Sequence, residues 1–186
     1  MPKHGSMPAL TVLAPLAPGF EELELVAPVD LLRRAGVEVT LATVDGNFLV
    51  VGRNGMILRA ERTLEELLEL PFDGLLLAGG PAVPELRKDP RILALIRRHH
   101  GAGSLIGAIC AAPLLLKDAG ILPAAHTCHH SCAGELPAAR LDQRVLAEGR
   151  LITSRGAGTS VDFGLAMVTA LLGQPAADKV SAEVGA

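Results

Sequence analysis

The side chains able to do chemistry sit in a few short stretches, and the sharpest of these is Ser104 to Leu116. An apolar run, Leu105 to Ile109, reads as a buried strand. It stops at Cys110, and Ala111-Ala112-Pro113 leads into a leucine-rich helix. A strand that turns at once into a helix lifts the side chain at the turn clear of the sheet. It also aims the first free N–H groups of the helix at that side chain. This is the logic of a nucleophile elbow, with sulfur as the attacking atom. Gly107, Ala108, Ala111 and Ala112 leave the thiol uncrowded. The alternative is a cysteine packed as a small hydrophobe.

A second stretch, Cys128-His129-His130-Ser131-Cys132, puts two thiols and two imidazoles into five residues. The spacing is too short for ordinary zinc modules, and adjacent residues of a strand face opposite ways, so no metal site is read there. Cys128 or Cys132 as a resolving thiol for Cys110 is one reading, and simple packing is the other. Glu21, Glu22 and Glu24 open a helix, where carboxylates suit the positive end of the dipole. On that ground at least two of the three are solvated helix-start charges. Gly79-Gly80-Pro81 permits positive φ and close approach of backbone to a ligand. Arg53 and Arg155 lie in loops and are candidates for holding an anion or carboxylate. His99-His100 ends a helix and reads as a surface pair.

These residues need a scaffold, and the apolar pattern supplies it. Ala9 to Ala14, Val37 to Val44, Asp73 to Ala78 and Leu105 to Ile109 are near-continuous apolar runs, as in parallel strands covered on both faces. Helices are read from Glu21 to about Ala35, from Thr63 (as a cap) to about Leu70, from Pro90 to about His100, after Cys110 to Asp118, and from Val161 to Leu172. Phe48–Val51 and Met56–Leu58 flank Gly52-Arg53-Asn54-Gly55 as a hairpin, Ala125–Cys128 is a short strand, and Val145–Ala147 pairs with Leu151–Thr153. Alternating strands and helices predict an α/β sandwich, a mostly parallel sheet with helices on both faces, flavodoxin-like or class I glutamine amidotransferase-like. The site then lies at the carboxyl ends of the strands, where Pro15, Gly79-Gly80, Cys110 and Arg155 meet.

Composition narrows the function. At 186 residues the chain fits one domain, read as residues 8–186 behind a flexible leader of residues 1–7. Aromatic residues make up 2% and the net charge is −3, so neither a base-stacking surface nor a basic footprint for nucleic acid is present. No apolar run approaches the ~20 residues that cross a bilayer. Three cysteines crowded into one third of the chain make no disulfide framework and point to a reducing, cytoplasmic setting.

Six stretches together carry a family resemblance: Gly19-Phe20-Glu21-Glu22-Leu23-Glu24, Pro28-Val29-Asp30, Arg33-Arg34-Ala35-Gly36-Val37, Ala78-Gly79-Gly80, Ala108-Ile109-Cys110-Ala111-Ala112-Pro113 and Thr153-Ser154-Arg155-Gly156-Ala157-Gly158-Thr159-Ser160. In this order they resemble the ThiJ/PfpI superfamily, in its branch of the parkinsonism-associated deglycase. The resemblance implies that Cys110 is an oxidisable nucleophile and that Glu24 is the carboxyl group bonded to its sulfur. It further implies that Gly80 and Ala111, with Gly79 beside them, offer N–H groups to an oxyanion, and that His129 stands near the sulfur. It implies chemistry on small dicarbonyls such as methylglyoxal and glyoxal, or on their glycated adducts, without glutathione, metal or organic cofactor. A low-pKa exposed thiol beside a carboxyl group also implies the alternative of a redox sensor or chaperone in oxidative stress. The peptidase-like branch has histidine directly after its cysteine; Ala111 stands there in this chain, which argues against proteolysis. His130 occupies a position where the branch usually has proline. Members are commonly homodimers, and the apolar face of the Glu22–Arg34 helix is expected at that interface.

Overall fold

The computed structural model describes residues 9–186, so the expected leader, residues 1–7, lies outside the described residues. Its centre is a seven-stranded sheet. Thr11–Leu16 (β1), Glu38–Thr43 (β2), Gly74–Leu77 (β6), Leu105–Ile109 (β7) and Leu151–Ser154 (β9) are its main strands. Arg62–Thr63 (β5) and Val145–Glu148 (β8) form the edges, giving the order β5-β2-β1-β6-β7-β9-β8. All neighbours are parallel except β8, which runs antiparallel to β9. Leu49–Val51 (β3) and Ile57–Arg59 (β4) form a separate antiparallel hairpin.

The strands alternate their side chains between two helical layers, as the pleat requires. Val12, Ala14 and Leu16 of β1 enter one core with Leu25, Val29 and Leu32 of Glu22–Arg34 (α1) and Phe163 and Met167 of Ser160–Leu172 (α5). Leu13, between them, enters the other core with Ile92, Leu95 and Ile96 of Pro90–Gly101 (α3) and Leu115 and Leu116 of Pro113–Asp118 (α4). Burial on both sides explains why these strands lack sequence alternation. The helices start where their caps allow. Glu21 accepts the Glu24 N–H and caps α1, and Asp89 accepts the Arg91 N–H ahead of Pro90 at the start of α3. Val83–Leu86 (α2) is a single short turn of helix.

Several details differ from the sequence expectation. β1 continues through Pro15, which is tolerable because pairing with β6 ends at Leu13. Thr63 belongs to the edge strand β5, and the expected helix after it shrinks to a 3-10 turn, Glu65–Leu67. Ala125–Cys128 is no strand: the Thr127 N–H donates to the Thr153 side chain at 3.0 Å, so no backbone ladder forms. His99 is buried with its ring on Phe72 and its Nδ1 on the Leu95 carbonyl, not on the surface. A last helix, Gln174–Val184 (α6), packs on α5 and was not read from the sequence. No described helix is long and apolar enough to cross a membrane.

Candidate active site

Cys110 sits one residue past the end of β7, where the chain must turn before α4 begins. Its φ is +66°, the only positive φ at a non-glycine among the described residues. Such strained backbone persists only when its surroundings fix it. Here the fixing is visible on both sides: the Cys110 N–H donates to the Ser154 carbonyl at 2.9 Å, and the Cys110 carbonyl accepts the His129 N–H at 2.9 Å. The elbow expected from sequence is therefore present. The N–H groups of Ala111 and Gly80 lie on the sulfur's side and favour negative charge on it.

Glu24 reaches the same sulfur from the first turn of α1. It is almost wholly buried and accepts the Gly79 N–H at 3.0 Å, with the Cys110 thiol and the Ala157 N–H close by. Burial raises its pKa to about 7, with the Glu21 charge adding to the rise. The thiol is pushed up as well, first by burial and then by the Glu24 carboxylate beside it. This corrects the expectation of a low-pKa, exposed thiol: Cys110 is half-buried, and with Glu24 ionised it holds its proton. The physical picture is a carboxyl–thiol pair that shares protons, with two backbone donors ready for negative charge on sulfur.

None of the three helix-start acids is a solvated charge, against the sequence expectation. Glu21 caps the helix by accepting the Glu24 N–H at 2.8 Å. Glu22, also buried, accepts the Asn54 N–H at 2.6 Å and the Asn54 Nδ2 at 3.0 Å, tying α1 to the β3–β4 hairpin. The two glycines at the end of β6 divide their work. Gly80, at φ +95°, faces its N–H to sulfur. Gly79, grouped by the resemblance with the oxyanion donors, instead gives its N–H to Glu24. A Cβ there would stand 2.6 Å from Glu24 Oε2 and 2.8 Å from the Cys110 Cβ.

His129 is fastened to the elbow by its backbone, while its ring turns to Ser131. Nδ1 accepts the Ser131 hydroxyl at 2.8 Å and the Ser131 N–H at 3.3 Å, which places the proton of the neutral ring on Nε2. Burial lowers its pKa, and His130 and Arg53 lower it further. His129 is thus a neutral donor rather than a ready base. His130, its ring tilted 39° to that of His129 with 4.0 Å between centroids, takes the place of the usual proline. Arg155 and His129 line one cavity of about 510 Å³, whereas Arg53 approaches His129 from the hairpin and does not line it. A cavity of similar size, about 510 Å³, lies at the opposite end of the sheet around Phe72 and His99, far from this chemistry.

Cys128 and Cys132 pack with Leu114 and Leu136 in an apolar cluster. Among the described residues no three His, Cys, Asp or Glu side chains converge as a ligand set. Sequence reasoning missed Glu21, Ser131 and Ala157 as positioning groups. For Glu21 the signal was there: a side-chain acceptor three residues ahead of Glu24 is cap spacing.

Comparison with known proteins shows the family. The model of the DJ-1/PfpI family matches residues 10–170. The chain belongs to that family. It is 34% identical over 177 residues to protein DJ-1 homolog A of Arabidopsis thaliana, covering 92% of this chain and 45% of that protein. It therefore spans about half the length of that relative. It is 32% identical over 156 residues to the glutathione-independent glyoxalase DJR-1.2 of Caenorhabditis elegans, covering 82% of this chain and 83% of that one. Among solved structures it matches Toxoplasma gondii DJ-1, oxidized, with a TM-score of 0.90 and 29% identity over 95% of this chain and 98% of that one.

Proposed function

We propose that the protein is a cysteine-dependent, glutathione-independent glyoxalase or deglycase-type enzyme acting on methylglyoxal, glyoxal or their adducts. The observation that carries this reading is the buried Glu24 carboxyl group, anchored by the Gly79 N–H, set against Cys110 at its strained turn. The name of the worm relative supports the reaction class.

In the proposed reaction Glu24 accepts the thiol proton as sulfur attacks the aldehyde carbon of methylglyoxal. The oxyanion that forms lies beside the Gly80 and Ala111 N–H groups and takes that proton back from Glu24, giving a hemithioacetal and restoring the carboxylate. The Glu24 carboxylate then removes the hydrogen of that carbon, and a proton returns at the neighbouring ketone carbon. The aldehyde carbon is oxidised and the ketone carbon reduced, so no external oxidant is needed. Water releases lactate from the resulting thioester and restores the thiol. His129, with its proton on Nε2, serves as a hydrogen-bond donor to the dicarbonyl, and the base is Glu24.

A second reading is favoured by the same donors. A sulfinate formed on Cys110 by peroxide would be held by the Gly80 and Ala111 N–H groups and by protonated Glu24, as a redox sensor or stress-linked chaperone requires. A cytoplasmic location fits three free thiols. A homodimer fits the exposed apolar side chains Leu23 and Val26 on α1 and Leu49, Met56 and Ile57 on the hairpin, two elements that Glu22 and Asn54 join.

The test is the loss of methylglyoxal and appearance of lactate without glutathione, in wild type, Cys110→Ser and Glu24→Gln. Turnover in wild type and its loss in both variants is the expected result. A wild type no faster than buffer would end the glyoxalase reading and leave Cys110 oxidation as the function.

A further inference from the structure

Beside Cys110 lies a cavity much larger than a three-carbon dicarbonyl, and its charge is one-sided. Its volume is about 510 Å³, and its ionisable wall groups are His129, His130, Arg144, Arg155 and the Cys128 thiol, with no carboxylate among them. Burial holds that thiol up at about 11, so it stays neutral. The two cations differ. Arg144 gives its charge to Asp162, at 2.5 Å from Nη2 and 3.0 Å from Nε. Arg155 donates Nη1 to the Leu141 carbonyl at 3.1 Å, and among the described residues no carboxylate lies within ion-pair distance of it. A guanidinium held in place by a carbonyl, half-buried and without a counter-charge, is a built receptor for a carboxylate.

The backbone carries this cation straight from the nucleophile. Ser154 accepts the Cys110 N–H, and Arg155 follows it. At Gly156 a Cβ would stand 3.4 Å from His129 Cδ2 and 3.9 Å from the Cys110 Cβ, so Gly156 and His129, which line the cavity, are also neighbours of the elbow, while Cys110 itself is not part of the lining. The amino end of α5 also faces the cavity through Gly156 to Thr159, which adds a partial positive charge.

We infer that the substrates of this site are 2-oxoaldehydes bearing a carboxylate a few bonds from the reacting carbonyls, with Arg155 binding the carboxylate. The inference rests on the glyoxalase reading for its chemistry and on the cavity for its selectivity. For the probe 4,5-dioxopentanoate the reaction consumes one water. The aldehyde carbon becomes a carboxylate, the ketone carbon becomes a secondary alcohol, and the product is 2-hydroxypentanedioate with release of one proton.

Two measurements separate the inference from the reading beneath it. The first needs no turnover: alkylation of Cys110 by iodoacetate and by iodoacetamide, followed in the tryptic peptide 99–117, with Cys128 and Cys132 in peptide 118–140 reporting intact folding. The iodoacetate-to-iodoacetamide rate ratio is expected to exceed that of N-acetylcysteine by about tenfold and to fall as salt screens the site. Arg155→Gln should abolish that excess, and Arg155→Lys should restore part of it. The second compares kcat/KM for 4,5-dioxopentanoate and methylglyoxal; the ratio should favour the anion and drop roughly tenfold in Arg155→Gln. A wild-type alkylation ratio no higher than that of N-acetylcysteine overturns the inference, whatever the turnover. Turnover of both dicarbonyls without charge preference overturns it too and leaves the glyoxalase reading standing. A strong alkylation preference with neither dicarbonyl consumed keeps the anion site and ends the glyoxalase reading.

Discussion

Glu24 and Gly79, 55 residues apart in sequence, are joined by a 3.0 Å hydrogen bond from the glycine N–H to the Glu24 carboxylate. That bond fixes the carboxyl group against the Cys110 thiol, and the charge it fixes there is one cause of the raised thiol pKa. Glu24→Gln keeps an oxygen for the Gly79 N–H and removes the charge. The thiol is therefore expected to ionise at lower pH in the variant, while turnover falls roughly a hundredfold or more because the proton acceptor is gone. The pH dependence of Cys110 alkylation checks the first half. A midpoint that stays or rises would show that ionised Glu24 does not hold the thiol up.

The raised Glu24 pKa has a stability signature. Its value is about 7 in the folded chain against an ordinary 4.5. Below pH 4.5 both states hold the proton and Glu24 makes no pH-dependent difference. Between 4.5 and 7 the unfolded chain releases the proton first, so folding loses stability as pH rises; above 7 the loss is complete. The full difference is on the order of 3 kcal/mol. Urea unfolding of wild type and Glu24→Gln from pH 4 to 8 should show wild type losing stability relative to the variant across that window. Parallel curves would mean the carboxyl group is not held protonated.

Gly79→Ala tests the packing of the same pair. Its Cβ would overlap both Glu24 Oε2 and the Cys110 Cβ, and neither can retreat far: one is the buried carboxyl group, the other sits on a strained turn. Expected are a stability loss of about 1–3 kcal/mol and near-complete loss of turnover. Unchanged melting and activity would show that the site is looser than the packing implies.

How much of this was legible follows from where each signal lives. The elbow was, because an apolar run, a cysteine and Ala-Ala-Pro are neighbours in sequence and the turn they make is local. The layers were too, since strands buried on both faces must be apolar throughout. The fates of the acids were not. Glu22 is buried only because Asn54 comes to it across 32 residues, and nothing in Glu-Glu-Leu-Glu foretells that partner. The extended run at Ala125–Cys128 failed to become a strand for the same kind of reason: the group facing its Thr127 N–H is a Thr153 side chain, not a backbone carbonyl. α6 hides because its buried positions, Ala177 and Val180, are too small to mark a face. The thiol pKa depends on burial and on a charge from another element, neither of which the residues around Cys110 contain.

His129 should remain neutral at pH 7. Burial lowers its pKa, and the positive Arg53 nearby opposes a second positive charge. In Arg53→Gln that repulsion is gone, so the titration midpoint followed by NMR of the imidazole carbons should move upward. Because the Ser131 N–H and hydroxyl hold Nδ1, the wild-type ring should show the Nε2–H tautomer. An Nδ1–H ring, or a midpoint unmoved by Arg53→Gln, would mean the hairpin does not act on the histidine.

The oligomeric state can be tested without disturbing the fold. Leu23 is 59% exposed at the start of α1, beside the Glu22–Asn54 bridge to a hairpin whose Ile57 is 61% exposed. Water-exposed apolar side chains on two linked elements fit a second copy of the same chain meeting them about a twofold axis. Leu23→Asp places a carboxylate in the first turn of a helix, where the dipole accepts it, so the monomer should fold as before. Sedimentation velocity at micromolar concentration should give twice the chain mass for wild type and a single chain for Leu23→Asp. A wild type that sediments as a single chain would overturn the expected dimer.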